Sequence, residues 1–130
     1  MKKLIVMAAA CLMTLAAAAQ TKIVAHRGYW DCAGSAQNSI TSLKLADKIG
    51  CYGSEFDVHL TKDGVIVVHH DPKVGKIDIQ TSTYKALKKE RLRNGENIPT
   101  LEQYLDAGKD LSKTLGFLKF YLTASFLANL

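Results

Sequence analysis

Glu55 and Asp57 sit two residues apart in Gly53-Ser-Glu-Phe-Asp-Val-His-Leu60, an apolar and β-prone setting. Side chains on a strand alternate faces, so both acids project from the same face. A second β-rich run, Val65-Ile-Val-Val-His69, delivers His70 and Asp71 into a loop. A shorter apolar strand, Lys22-Ile-Val-Ala25, ends in His26-Arg27-Gly28. Paired acids with histidines at neighbouring strand ends are the materials of a divalent-metal hydrolytic site. Alone, the acid pair favours the plainer reading of two solvated strand-end carboxylates. The elements around it shift the balance.

Those elements alternate. Asn38 or Ser39 caps an expected helix whose apolar positions Ile40, Leu43, Ala46 and Ile49 recur at helical spacing, with Gly50 as a left-handed stop. Lys62-Asp63-Gly64 marks a tight turn between the two β-rich runs. That turn suits a hairpin or a short connection between parallel strands. A hairpin would set Asp57 opposite the residues just before His70. Polar loop is expected from Asp71 to Thr81, then a helix through Tyr84, Leu87 and Lys88, and a turn at Gly95. Thr100 and Gln103 have capping-box spacing at the start of a helix that buries Leu101, Tyr104 and Leu105.

Strands alternating with helices predict an α/β protein with largely parallel strands. Polar residues at successive strand ends fit a TIM (β/α)8-type barrel with its site at the C-terminal mouth, and such a barrel takes roughly 200 residues or more. In 130 residues there is room for the first three or four strands. The expected fold is therefore an N-terminal, incomplete portion of that barrel.

Residues 1–20 read as a cleaved secretory signal, with Met1-Lys-Lys as the positive region, Leu4 to Leu15 as the apolar run and Ala16 to Ala19 at the cleavage end. The run is too short for a stable membrane span. This predicts an exported protein, periplasmic or secreted, in a compartment where Cys32 and Cys51 are permitted to pair. The formal net charge is +5 before the signal is removed. The lysines are scattered rather than grouped with aromatics, which argues against a nucleic-acid partner. Nothing in the pattern sets an oligomeric state.

Taken in order, the motifs resemble the glycerophosphodiester phosphodiesterase family. Ala25-His-Arg-Gly28 is similar to its opening strand, and Asn38 to the middle of its Glu-Asn-Thr motif. Glu55-Phe-Asp57-Val, Thr61-Lys-Asp-Gly64 and Val68-His-His70-Asp71 follow in the family's order, then Ile98-Pro-Thr-Leu101. The likeness runs from about Ile23 to Leu105. It implies hydrolysis of a small-molecule glycerophosphodiester to glycerol 3-phosphate and an alcohol. Glu55 and Asp57 would hold a divalent cation, calcium or magnesium; His26 and His70 would share acid and base duties; Arg27 would bind the phosphate. A cation and a guanidinium draw charge off the phosphate oxygens. Imidazoles titrate where one can take a proton and another give one. His59 is expected behind the acids or facing solvent, and His69 on the side away from His70.

Two departures accompany the resemblance. Gln37 replaces the acid before Asn38. The family's fourth strand carries a Glu, followed shortly by Lys, that completes the metal site; here the region reads Lys113-Thr-Leu-Gly-Phe-Leu-Lys-Phe-Tyr-Leu122, and no acid follows Asp110. The chain thus divides into the signal, residues 21–113 as the N-terminal part of the phosphodiesterase domain, and an atypical apolar tail over 114–130. A truncated and inactive product is expected. The alternatives are a non-catalytic phosphate-ligand binding fragment and a phospholipase-type phosphodiesterase.

Overall fold

The computed structural model describes residues 21–109, 111 and 118–122. The expected signal and most of the expected apolar tail lie outside them. In chain order the elements are β1 (Val24–His26), α1 (Ile40–Lys48), β2 (Gly53–Leu60), β3 (Ile66–Val68), β4 (Lys73–Val74), β5 (Ile77–Asp78), α2 (Tyr84–Leu87), α3 (Leu101–Lys109) and β6 (Leu118–Leu122).

β2 is the axis of the fold. It pairs in parallel with β1, His26 beside Glu55, and in parallel with β6, Lys119 beside Glu55 and Tyr121 beside Asp57. β3 runs antiparallel to it, Val68 opposite Val58. The Lys62-Asp63-Gly64 turn is therefore a hairpin, with Gly64 at φ +79°. The expectation of largely parallel strands needs correcting there: the strand leading to His70 folds back along β2. Residues 118–122, inside the apolar stretch, form the strand on β2's opposite edge from β1 and β3. Among the described residues the sheet is open.

Alternation along β2 divides its side chains between two environments. Phe56 and Val58 face Leu43 of α1, Val68 of β3 and Tyr104 of α3, all buried. The Phe56 and Tyr104 rings lie 4.8 Å apart at 46°, a tilted contact that adds to simple area burial. Glu55, Asp57 and His59 take the opposite face.

The helices begin where their caps require. Ser39 accepts the Ser42 N–H at 3.0 Å, starting α1, and Gly50 at φ +81° ends it. Thr100 and Gln103 form a reciprocal capping box at the start of α3, with bonds of 3.0 and 3.1 Å. Between β3 and α2 the expected polar loop instead holds the small antiparallel ladder β4–β5, Lys73 opposite Asp78 and Val74 opposite Ile77. It covers a second buried cluster of Val67, Val74, Ile79, Leu87, Leu92 and Ile98. No helix among the described residues is long and apolar enough to cross a membrane. Cys32 and Cys51 are both unpaired.

Candidate active site

The site forms where β1 ends beside the middle of β2. Register alone places His26 next to Glu55, with Nε2 3.9 Å from Oε2. The backbone then turns sharply. Arg27 takes φ +59°, and its N–H donates to Glu55 Oε2 at 3.0 Å. Gly28 follows at φ +79° against α1, where a Cβ would lie 2.3 Å from Ser42 Oγ. A glycine is obligatory at that approach.

Arg27's side chain returns over the acids. Nε lies 3.6 Å from Asp57 Oδ2, and Nη1 donates to Gln37 Oε1 at 2.6 Å. Gln37 thus orients the guanidinium without adding the charge that an acid there would bring. Arg27 Nε is buried with no hydrogen-bond partner among the described residues. It is a donor held inside the site by electrostatic attraction to Asp57.

Asn38 is the residue whose role the sequence left unassigned. It is fully buried at φ +58°. Its Nδ2 donates to Asp57 Oδ2 at 3.0 Å, its Oδ1 accepts the Asp57 N–H at 3.3 Å, and its own N–H donates to the Arg27 carbonyl at 3.0 Å. Asparagine is among the few residues that tolerate this left-handed backbone, which is the signal that its motif position carried.

The acids are buried, Glu55 to 6% and Asp57 to 8% exposure. Burial pushes the Glu55 carboxyl above its usual range, with Asp57's charge adding to that and the Arg27 N–H opposing it. Two buried carboxylates on one strand face supply hard oxygen ligands of the kind calcium and magnesium take. The donor set fits a divalent cation as a pair. Among the described residues no group of three His, Cys, Asp or Glu side chains gathers to complete it.

His70 arrives from the hairpin. The His69 N–H donates to the Asp57 carbonyl at 3.0 Å, which fixes the chain beside the acids just before His70. His70 Nδ1 lies 2.8 Å from Asp71 Oδ1, so Nδ1–H is held by a carboxylate and the neutral ring has its lone pair on Nε2. His59 is neither solvent-facing nor in contact with the acids. It is 3% exposed, and its Nε2 donates to the His70 carbonyl at 3.0 Å. It props the histidine loop from beneath. His69, expected on the far side, lines the same cavity as His70. β3 ends at Val68, so strand alternation does not reach residues 69 and 70. Burial lowers the His69 pKa, favouring its neutral form.

A profile of the Glycerophosphoryl diester phosphodiesterase family matches residues 26–121. A glycerophosphodiester phosphodiesterase of Caldanaerobacter subterraneus subsp. tengcongensis is 36% identical over 100 residues, covering 67% of this chain and 40% of the relative. A crystal structure of a glycerophosphodiester phosphodiesterase from Parabacteroides distasonis superposes with a TM-score of 0.73 at 56% identity, covering 78% of this chain and 42% of that one. An Oleispira antarctica phosphodiesterase in complex with its product sn-glycerol-3-phosphate matches at 27% identity and a TM-score of 0.60, over 78% of this chain and 43% of that one. The chain spans about two fifths of the length of these relatives. Its open sheet and flanking helices are an N-terminal portion of a TIM-barrel fold.

Proposed function

The chain belongs to the glycerophosphoryl diester phosphodiesterase family, and on that premise we propose that its site serves hydrolysis of a glycerophosphodiester to glycerol 3-phosphate and an alcohol. One observation carries the reading. His26, Arg27, Asn38, Glu55 and Asp57, from three separate segments, converge through the Arg27–Glu55 and Asn38–Asp57 bonds. The Oleispira relative, which holds glycerol 3-phosphate as product, supports the substrate class.

In this reading Arg27 binds the phosphate, its fork oriented by Gln37 and Asp57. Glu55 and Asp57 would hold a divalent cation, calcium or magnesium, whose chemistry is to withdraw charge from phosphate oxygens. Water supplies the oxygen that joins phosphorus, and the bond from phosphorus to the alcohol oxygen breaks. His26 and His70 divide the proton transfers: one ring removes a proton from the water while the other protonates the leaving alkoxide. Each such transfer is worth about 10²–10⁴-fold. Asp71 holds His70 in the tautomer this requires. Residues 1–20 have the form of a secretory signal, so the site is read as working outside the cytoplasm; N-terminal sequencing of the exported protein would show the cleavage.

A second reading, phosphate-ligand binding without turnover, is favoured by β6. Its register sets Lys119 beside Glu55 and Tyr121 beside Asp57, and residues 118–122 contain no acid. Calorimetry and product release separate the two. Incubation with glycerophosphocholine and calcium or magnesium should release glycerol 3-phosphate, and Asp57→Asn should lose cation binding and release together. Saturable ligand binding with no release would establish the second reading. Unchanged cation affinity in Asp57→Asn would remove that residue from the site.

A further inference from the structure

Beyond Gln37, which accepts from Arg27 of the site, lies a cavity of ≈ 260 Å³. Gln37 and His70 are among its lining residues, with Trp30, Lys73, Arg91 and Arg93. We propose that this cavity receives the alcohol half of the diester and selects an alcohol that carries its own anion, a phosphate or a carboxylate. This rests on the hydrolase reading, which gives a proton-transfer role to His70, a residue of the cavity lining.

The charges favour an anion. Three permanent cations line the cavity. Against them stand Asp71, whose carboxylate is engaged by His70, Glu90, which lies against Gly75 on the wall, and Asp78, which faces Lys73 across the β4–β5 ladder. Arg93 is built in: its Nη2 donates to the Trp30 and Ser35 carbonyls at 3.2 and 3.3 Å, and its guanidinium lies 5.6 Å from the Trp30 ring centre. That contact also decides against a quaternary ammonium. Such a group is recognised by aromatic faces, and the Trp30 ring already faces a guanidinium. Arg91 and Lys73 are exposed at the cavity's edge and carry no comparable structural load. Arginine at such a position favours phosphate or carboxylate through paired donors.

Calorimetric titration of the chain, with calcium present, tests this with three ligands: glycerophosphoinositol 4-phosphate, glycerophosphoinositol and glycerophosphocholine. The first two differ only by one phosphate. The phosphorylated ligand should bind about tenfold tighter than its parent, as one charge-assisted contact allows, and added salt should erode the difference. The double variant Lys73→Gln/Arg91→Gln should abolish the preference while leaving glycerophosphoinositol affinity unchanged. Equal affinity for the three ligands, or a preference that survives in the double variant, would overturn the proposal while the hydrolase reading stands. Failure of all three to bind would overturn both.

Discussion

Asn38 is the most exacting test of how the site is built. Replacing it with Ala removes the bond to the Asp57 carboxylate and the one from the Asp57 N–H. The first is charge-assisted and worth about 1.5–3 kcal/mol, the second about 1 kcal/mol. Alanine at φ +58° adds a left-handed penalty of about 1 kcal/mol. The expected loss in Asn38→Ala is about 4 kcal/mol, a large part of the total stability of an ordinary domain. Asn38→Gly escapes the backbone penalty and should recover about 1 kcal/mol of that loss. Asn38→Asp turns the donor into a carboxylate facing Asp57, so at neutral pH it should be at least as damaging as Ala. Its deficit should shrink as pH falls and one of the two acids takes a proton to donate. Urea denaturation followed by Trp30 fluorescence reads the series, and calcium titration reads whether Asp57 stays in place. A loss below about 1 kcal/mol in Asn38→Ala would refute the hydrogen-bond argument. A glycine variant no better than the alanine one would refute the backbone argument.

Two further substitutions follow from the same geometry. Glu55 binds its proton more tightly folded than unfolded, so its favourable contribution is full below its unfolded pKa and is lost as pH rises through the raised folded value. Glu55→Gln should therefore raise the urea midpoint of the metal-free chain at neutral pH while weakening calcium binding; a lowered midpoint would contradict this sign. Gly28→Ala places a Cβ 2.3 Å from Ser42 Oγ and 2.6 Å from Ser42 Cβ at φ +79°, and should cost about 3 kcal/mol or more through overpacking and strain. Gly95→Ala, at φ +86° with nothing within 4 Å, is the control. It should cost only about 1 kcal/mol, and similar melting temperatures for the two would refute the role given to Ser42.

What the sequence made legible is what local chemistry sets. Ser39 and the Thr100–Gln103 pair announced their helices because a cap needs only neighbours within a turn. Glu55 and Asp57 shared a face because a strand has period two. The hairpin was half legible: Asp63-Gly64 signalled the turn, and strand direction waited on the pairing of Val58 with Val68. β4 and β5 are two residues each, too short for any alternation to register. β6 lay in an apolar run without punctuation; the resemblance alone set a strand in that region, and the pairing with β2 gives its register. The same applies to His59. Its spacing from Asp57 gave its face, while its bond to the His70 carbonyl depends on how the hairpin folds back. Long-range register decides such contacts, and a linear pattern does not encode register by itself.

Strain and charge are concentrated in the same few residues. Arg27 and Asn38 are the non-glycine residues with positive φ among those described, and the Asn38 N–H bonds the Arg27 carbonyl. Each also contacts one of the buried acids, Arg27 through its N–H to Glu55 and Asn38 through its amide to Asp57. Left-handed backbone is unfavourable for arginine and only tolerated by asparagine, and burying a carboxylate is costly too. Each cost here is offset by the other: the unusual turn at residue 27 aims an N–H at Glu55, and the one at residue 38 aims an amide at Asp57. A site assembled this way is pre-organised before any substrate or cation arrives. All four residues lie between positions 27 and 57, so the contacts that set it need only the connection from β1 to α1 and strand β2.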